Sequence, residues 1–179
     1  MAVRADALRN REALLAAGRS LLGRESAGLA FEDVATTAGL GKGTLYRHFP
    51  TREHLVAALL QERFDALTMD AQFLLDDDDP LDAVDRWLRN YDRYPISARG
   101  LSAHFGEALT DRESAVSTAC VPMKQGFTTL LARAQEAGLA RRDIDVPELL
   151  AVIASLPRLS RDANGSSPFL DVILRGIRA

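Results

Sequence analysis

Glycine and proline divide this chain into about eight or nine stretches of helical length, and within each stretch the apolar residues recur at three- and four-residue spacing. The breaks fall at Gly28, Gly39 to Gly43, Pro50, Pro80, Pro95, Gly100, Gly138, Pro147 and the Asn164-Gly165-Ser166-Ser167-Pro168 run. Alternation of β-branched and aromatic residues at period two is hard to find between them, so the pattern predicts an all-α protein. With 47% hydrophobic residues but only 6% aromatic, its core must be built largely from aliphatic side chains.

Several function classes drop out early. No apolar run approaches the roughly 18 residues of a membrane span, and the N-terminus lacks the basic flank and apolar core of a secretory signal. A cytoplasmic chain with no membrane partner is therefore expected. The single Cys120 cannot form an intrachain disulfide, and His48, His54 and His104 do not fall at metal-ligand spacing, so neither metal nor cofactor is expected. No nucleophile and base constellation and no glycine-rich phosphate loop is present, which argues against an enzyme.

The first stretch, from about Ala5 to Glu25, places Leu8, Leu14, Leu15, Ala17, Gly18, Leu21 and Leu22 on one side and Arg4, Arg9, Arg11, Arg19 and Arg24 on the other. Taken alone, that arginine face reads as the solvated side of an amphipathic helix. Glu32 to Ala38 is a short helical segment with Val34 and Ala35 inward, and Gly39 is suited to the left-handed turn that ends it. Lys42 to Phe49 is a second segment, with Leu45 and Phe49 inward and Lys42, Thr44, Tyr46, Arg47 and His48 outside. Two short helices joined by a glycine corner form a helix-turn-helix, whose second helix enters the DNA major groove. Lys42 and Arg47 carry charge for phosphates or guanine acceptors, and Thr44 can reach a phosphate or a thymine methyl. Tyr46 and His48 present polar tips on rigid rings. Thr51 is placed to cap the following helix, whose N-terminal amides together with Arg52 offer a phosphate site. His54 reads as an ordinary solvent-facing residue.

The run Phe31-Glu32-Asp33-Val34-Ala35-Thr36-Thr37-Ala38-Gly39-Leu40-Gly41-Lys42-Gly43-Thr44-Leu45-Tyr46-Arg47-His48-Phe49-Pro50-Thr51-Arg52-Glu53-His54-Leu55 resembles the DNA-binding segment of the TetR/AcrR family of bacterial regulators. The resemblance covers about residues 8 to 60. It implies a three-helix DNA-binding head over residues 1–52 and a larger helical ligand-binding and dimerisation domain over 53–179, about nine helices in all. It also implies a ligand-responsive homodimer on a palindromic, double-stranded DNA operator. By position, Lys42, Gly43, Thr44, Tyr46, Arg47 and His48 match the family's recognition-helix contacts, and Arg52 matches a phosphate-binding lysine. Two positions depart from the pattern: Ala30 replaces a capping threonine and Gly41 a serine. Each loses a hydroxyl, and Arg4, Arg9 and Arg11 are placed to compensate on the DNA backbone or in the minor groove.

Beyond Glu53 a long helix carries Leu55, Val56, Leu59, Leu60, Phe64, Leu67, Phe73 and Leu74, and ends in Asp76-Asp77-Asp78-Asp79, whose last member can cap a helix opening with Pro80. Helices are expected at Asp82 to Arg93, Ile96 to Leu109 and, unbroken, Ser114 to Ala137. In the family these middle helices surround the ligand cavity, and Trp87, Tyr91, His104, Phe105, Met123 and Phe127 are their large or polarizable residues. Each suits core packing as well as a pocket wall. Few charges lie among them, which favours an unknown effector that is apolar or aromatic over a sugar phosphate. Leu131-Ala132-Arg133-Ala134-Gln135-Glu136-Ala137-Gly138-Leu139 and the patterning of residues 82–145 resemble the SbtR-type C-terminal domain. The last two helices, Pro147 to about Ser160 and Pro168 to Ile177, are apolar enough to want a partner, and a four-helix C2 interface would supply one. Repression with ligand-induced release is the expected mode, although the family also contains activators.

The net charge of −3, from 22 basic and 25 acidic residues, argues against a nucleic-acid partner only while it is averaged. Residues 1–63 hold nine basic and seven acidic side chains, whereas residues 64–179 hold 13 and 18. A basic head is thus masked by an acidic body.

Overall fold

The computed structural model describes residues 2–22, 30–93, 108–111, 113–156 and 167–179. Among the described residues the regular elements are nine helices, with a further helical turn at 108–110. We label them α1 (Ala2–Leu22), α2 (Phe31–Thr37), α3 (Lys42–His48), α4 (Arg52–Leu74), α5 (Pro80–Arg93), α6 (Ala115–Ala119), α7 (Val121–Glu136), α8 (Val146–Ala154) and α9 (Pro168–Ile177). None of them is long and apolar enough to cross a membrane.

Side-chain caps set most of the helix starts by taking up backbone amides that have no intrahelical partner. Thr51 Oγ1 accepts from His54 N, and Asp79 Oδ1 accepts from Leu81 N at 2.9 Å and Asp82 N at 3.0 Å, which is the capping role expected of the last aspartate in the acidic run. Ser114, Asp145 and Ser167 cap α6, α8 and α9 in the same way. Gly39 and Gly138 turn the chain after α2 and α7 with φ of +68° and +72°, a backbone region nearly closed to other residues.

The head packs α1, α2 and α3 around Leu14, Leu15, Val34, Ala35, Leu45 and Phe49, all buried. Leu55 and Val56 at the start of α4 close this core from below, and Phe64, Leu67, Ala71 and Leu74 carry the same helix into the body. There α4 lies against α6 and α7, and α7 against α5. The chain's end is fastened to the α7–α8 connection, where Arg141 N donates to Ile177 O at 2.9 Å and Ala179 N donates to Leu139 O at 3.0 Å.

Three expectations require correction. The helix foreseen over Ser114 to Ala137 is two helices broken at Cys120. Pro122 has no amide to donate and its ring would meet the carbonyl four residues back, so it fits only in the first turn of a new helix. Leu8 and Phe73 point to solvent, 65% and 76% exposed, because among the described residues no neighbouring element covers those turns of α1 and α4. The first helix also begins earlier than foreseen, at Ala2. The helix expected at Ile96 to Leu109 falls largely outside the described residues, as does the end of the stretch reaching Ser160.

Candidate nucleic-acid interface

The α2–α3 corner sets the geometry of the candidate site. Leu40 N donates to Ala35 O at 2.9 Å across the turn that Gly39 permits, and Leu45 and Phe49 anchor α3 from beneath. Ala30 and Gly41 occupy the N-cap positions of α2 and α3, neither with a side-chain cap bond, as the lost hydroxyls require. With its buried face fixed, α3 presents Lys42, Gly43, Tyr46 and Arg47 outward as exposed residues, with Thr44 and His48 half-buried at the margins. Among the described residues, and beyond its chain neighbours and own helix backbone, a Cβ placed on Gly41 or Gly43 would meet no atom within 4 Å. The N-terminal turn of α3 is therefore bare backbone at which another molecule can approach closely.

Arg52, half-buried, opens α4 immediately beyond α3, and Thr51 Oγ1 lies 2.9 Å from His54 Nδ1, so His54 is tied to the capping residue instead of standing free. Arg9, Arg11 and Arg19 of α1 divide among separate partners, while the side chain of Arg4 lies outside the described residues. Arg9 pairs with Asp6, Arg19 Nη2 reaches Glu62 Oε1 on α4 at 3.1 Å, and the Arg11 guanidinium stands over the Phe49 ring, 5.5 Å from its centroid, at the end of α3.

Sequence reasoning missed Phe31 and Glu32. Glu32, in the first turn of α2, forms an ion pair with Lys42 Nζ through Oε2, while the Tyr46 hydroxyl donates to Oε1 at a long 3.4 Å. The hydrogen bond and charge of Lys42 hold the Glu32 carboxyl below the usual carboxylate range, and Glu32 raises Lys42 in return. The Phe31 ring meets Tyr46 edge to face at 5.3 Å. The usable signal was an acid in the first turn of α2, which a tight corner brings opposite the first turn of α3.

In the body, Trp87, Tyr91, Met123 and Phe127 are all buried together. Trp87 stacks with both Tyr91 and Phe127, at centroid distances of 5.5 and 4.5 Å. Its Nε1 donates to Leu67 O at 2.9 Å, and the Tyr91 hydroxyl donates to Leu150 O at 3.2 Å. Both polar tips are thus occupied by backbone carbonyls of α4 and α8. His104 and Phe105 lie outside the described residues. A separate cleft of about 330 Å³ opens between α4 and α5, with Phe73, Leu74, Arg86, Arg89 and Asn90 among its walls. Its arginines are already engaged, Arg86 with Asp77 at 2.6 Å and Arg89 with Asp85 at 2.5 Å and Asp171 at 2.8 Å.

Comparison with known proteins bears on this architecture. Residues 14–59 match the model of bacterial regulatory proteins of the tetR family, and residues 79–179 match that of the C-terminal domain of SbtR-like transcriptional regulators. No curated protein matches the chain. Among solved structures, a TetR transcriptional regulator from Streptomyces coelicolor is 29% identical, with 94% of this chain and 98% of that one covered and a TM-score of 0.53. RolR in complex with resorcinol is 20% identical over 97% of this chain and 90% of its own, with a TM-score of 0.60. The ketosteroid transcriptional regulator KstR2 of Mycobacterium tuberculosis is 20% identical over 96% and 95%, with a TM-score of 0.52. The last two likenesses speak to the fold alone. Helix-turn-helix head and all-helical body together account for both model matches, and the chain belongs to the TetR family of ligand-responsive, non-enzymatic DNA-binding transcriptional regulators, with an SbtR-like C-terminal domain.

Proposed function

We propose that the protein is a homodimeric cytoplasmic repressor that holds a palindromic operator through α3 and releases it when a small apolar or aromatic effector binds. The observation that carries the DNA half is the exposed row of Lys42, Gly43, Tyr46 and Arg47, with Thr44 and His48 at its half-buried margins, on a helix anchored from beneath by Leu45 and Phe49. Arg52 extends that row toward the phosphates. Two such helices entering successive major grooves must lie about 34 Å apart, so dimer geometry sets affinity. An effector that prefers another spacing lowers DNA affinity by the same factor by which DNA lowers effector affinity.

The dimer forms through α8 and α9. Val152, Phe169 and Val172 are exposed on these two helices while Leu150, Ile153, Leu170 and Leu174 face the body, which leaves an apolar outer face for a second copy. The division of labour falls at residues 1–52 and 53–179, with α4 as the mechanical link. The matched models end at 59 and resume at 79, consistent with a shared helix between them. The effector is apolar or aromatic on this reading because Trp87, Tyr91, Met123 and Phe127 carry no charge that would compensate a buried ionic ligand. His104 and Phe105 complete the proposed pocket residues.

The test is selection of bound fragments from the source genome, followed by fluorescence anisotropy on the selected duplex. The wild-type protein should bind as a dimer with steep salt dependence, and a Tyr46→Ala, His48→Ala pair should weaken it about 30-fold or more, at about 1–3 kcal/mol per lost contact. Undiminished binding by the pair would refute the assignment of α3 as the reading helix.

A further inference from the structure

The Lys42–Glu32 pair is a poor device for stability. Both side chains are more than half exposed to solvent or close to it, at 62% and 50%, and ion pairs in that setting contribute little. Its position is more informative. Glu32 places a full negative charge on the surface proposed above to face a polyanion, and it divides its two carboxylate oxygens between the first residue of α3 and the tyrosine one turn further along. Phe31, its neighbour in sequence, buttresses the same tyrosine ring.

We propose that Glu32 is a specificity-determining residue of the DNA-binding surface, occupying Lys42 and Tyr46 in the free protein so that arbitrary DNA gains little from them. This rests on the reading that α3 faces DNA. Non-specific affinity comes almost entirely from cations that replace the counterions of phosphates. An ammonium already held by a carboxylate has that attraction offset: to meet a phosphate it must leave Glu32, and the carboxylate left behind then repels the duplex. Arbitrary sequence offers nothing in exchange. A matching site offers base edges that Lys42 and Tyr46 can reach in the orientation in which Glu32 and Phe31 hold them, so the two long or polar side chains are ordered before binding. Specificity thus rises because the wrong complex is disfavoured more than the right one.

The experiment compares wild type, Glu32→Gln, Asp33→Asn and the Glu32→Gln, Lys42→Gln pair on a random-sequence duplex and on a duplex selected from the genome, across 50 to 200 mM salt. Glutamine keeps the shape and an acceptor for Tyr46 but removes the charge. Freed Lys42 adds roughly one phosphate contact per subunit, two in the dimer, so Glu32→Gln should steepen the logarithmic salt slope on random duplex by about 1.8 and raise affinity there about 10- to 100-fold at 50 mM. Affinity for the selected duplex should rise less, narrowing the ratio between the two. Removing Lys42 as well should return the slope to that of wild type. Asp33 is a neighbouring exposed acid of equal charge and serves as the control, for which a smaller change is expected. An unchanged slope in Glu32→Gln, an equal gain on both duplexes, or an equal effect of Asp33→Asn would each overturn the proposal. Absence of duplex binding by wild type at the lowest salt would instead overturn the DNA-facing reading of α3, and the role of Glu32 with it.

Discussion

Gly126 on α7 is the position where the packing of the body can be tested most sharply. A Cβ built there would lie 2.8 Å from the Cβ of Ala71 on α4, closer than two carbons tolerate. Contact between carbons is comfortable from ~3.5 Å, so Gly126→Ala must part the two helices locally by roughly 0.7 Å. Two effects of opposite sign compete. Alanine is favoured over glycine in a helix interior by about 1 kcal/mol, whereas forcing a methyl into a filled interface costs about 1–3 kcal/mol. Since Ala71 is fully buried and both backbones belong to long helices, relief by side-chain rotation is closed. The expected result is a net loss of up to ~2 kcal/mol.

Ala71→Gly supplies the other arm. Alone it should lose about 2 kcal/mol, from helix propensity and one buried methyl. In the double variant the methyl has only changed sides, so the combined loss should be smaller than the sum by about 1–3 kcal/mol. Urea unfolding followed by circular dichroism measures all three, at one fixed protein concentration because the stability of the proposed dimer would depend on it. Stabilisation of Gly126→Ala by about 1 kcal/mol, additive with Ala71→Gly, would mean that propensity alone is acting and that the close approach of α4 and α7 does not exist.

Other expectations follow from single features. Asp79→Ala removes the acceptor for two amides at the start of α5 and should lower stability by about 1 kcal/mol in the same urea assay, whereas Asp78→Ala, which caps nothing, should leave it nearly unchanged. Burial pushes the Cys120 thiol above its ordinary range, so a thiol reagent at pH 8 should label it slowly in the native protein and rapidly in urea; fast native labelling would contradict its enclosed position. Val172→Asp places a charge on the exposed outer face of α9 and should produce monomers in sedimentation analysis without unfolding the chain, while an intact dimer would move the interface elsewhere.

The head is legible in the sequence because its information is local. Gly39 is the residue its positive φ demands, Leu45 and Phe49 mark the inner face of α3 within one turn, and Thr51 caps the next helix three residues before the amide it receives. The Glu32 contact is less legible, since residues ten apart meet only once the corner is folded. In the body, apolar spacing ran through Val116, Cys120, Met123 and Phe127 without interruption, and all four are buried. That continuity concealed the break, which Pro122 imposes through its missing amide while the register of the buried face carries across. Exposure of Phe73 and Leu8 was equally hidden: periodicity identifies a face, and only a neighbouring element decides whether it is covered.

Helix α4 is where the two halves of the molecule become one mechanical problem. Near its head end, a Cβ on Gly18 of α1 would stand 3.0 Å from Leu59 Cδ1, and Arg19 reaches across to Glu62. Near its other end Ala71 meets Gly126. These two close approaches are twelve residues apart, about 18 Å along the axis, and the helix between them contains no proline or glycine to absorb a bend. The head-side contact ends on a leucine side chain, which can rotate, whereas the body-side contact brings Cβ against a glycine backbone, which cannot. A change that moves α7 must therefore displace α4 rather than be taken up at their crossing, and its head end has only side-chain play in which to lose that motion. On the proposed mechanism, effector binding beside Met123 and Phe127 acts on α7, the helix whose Gly126 meets Ala71 of α4 most directly.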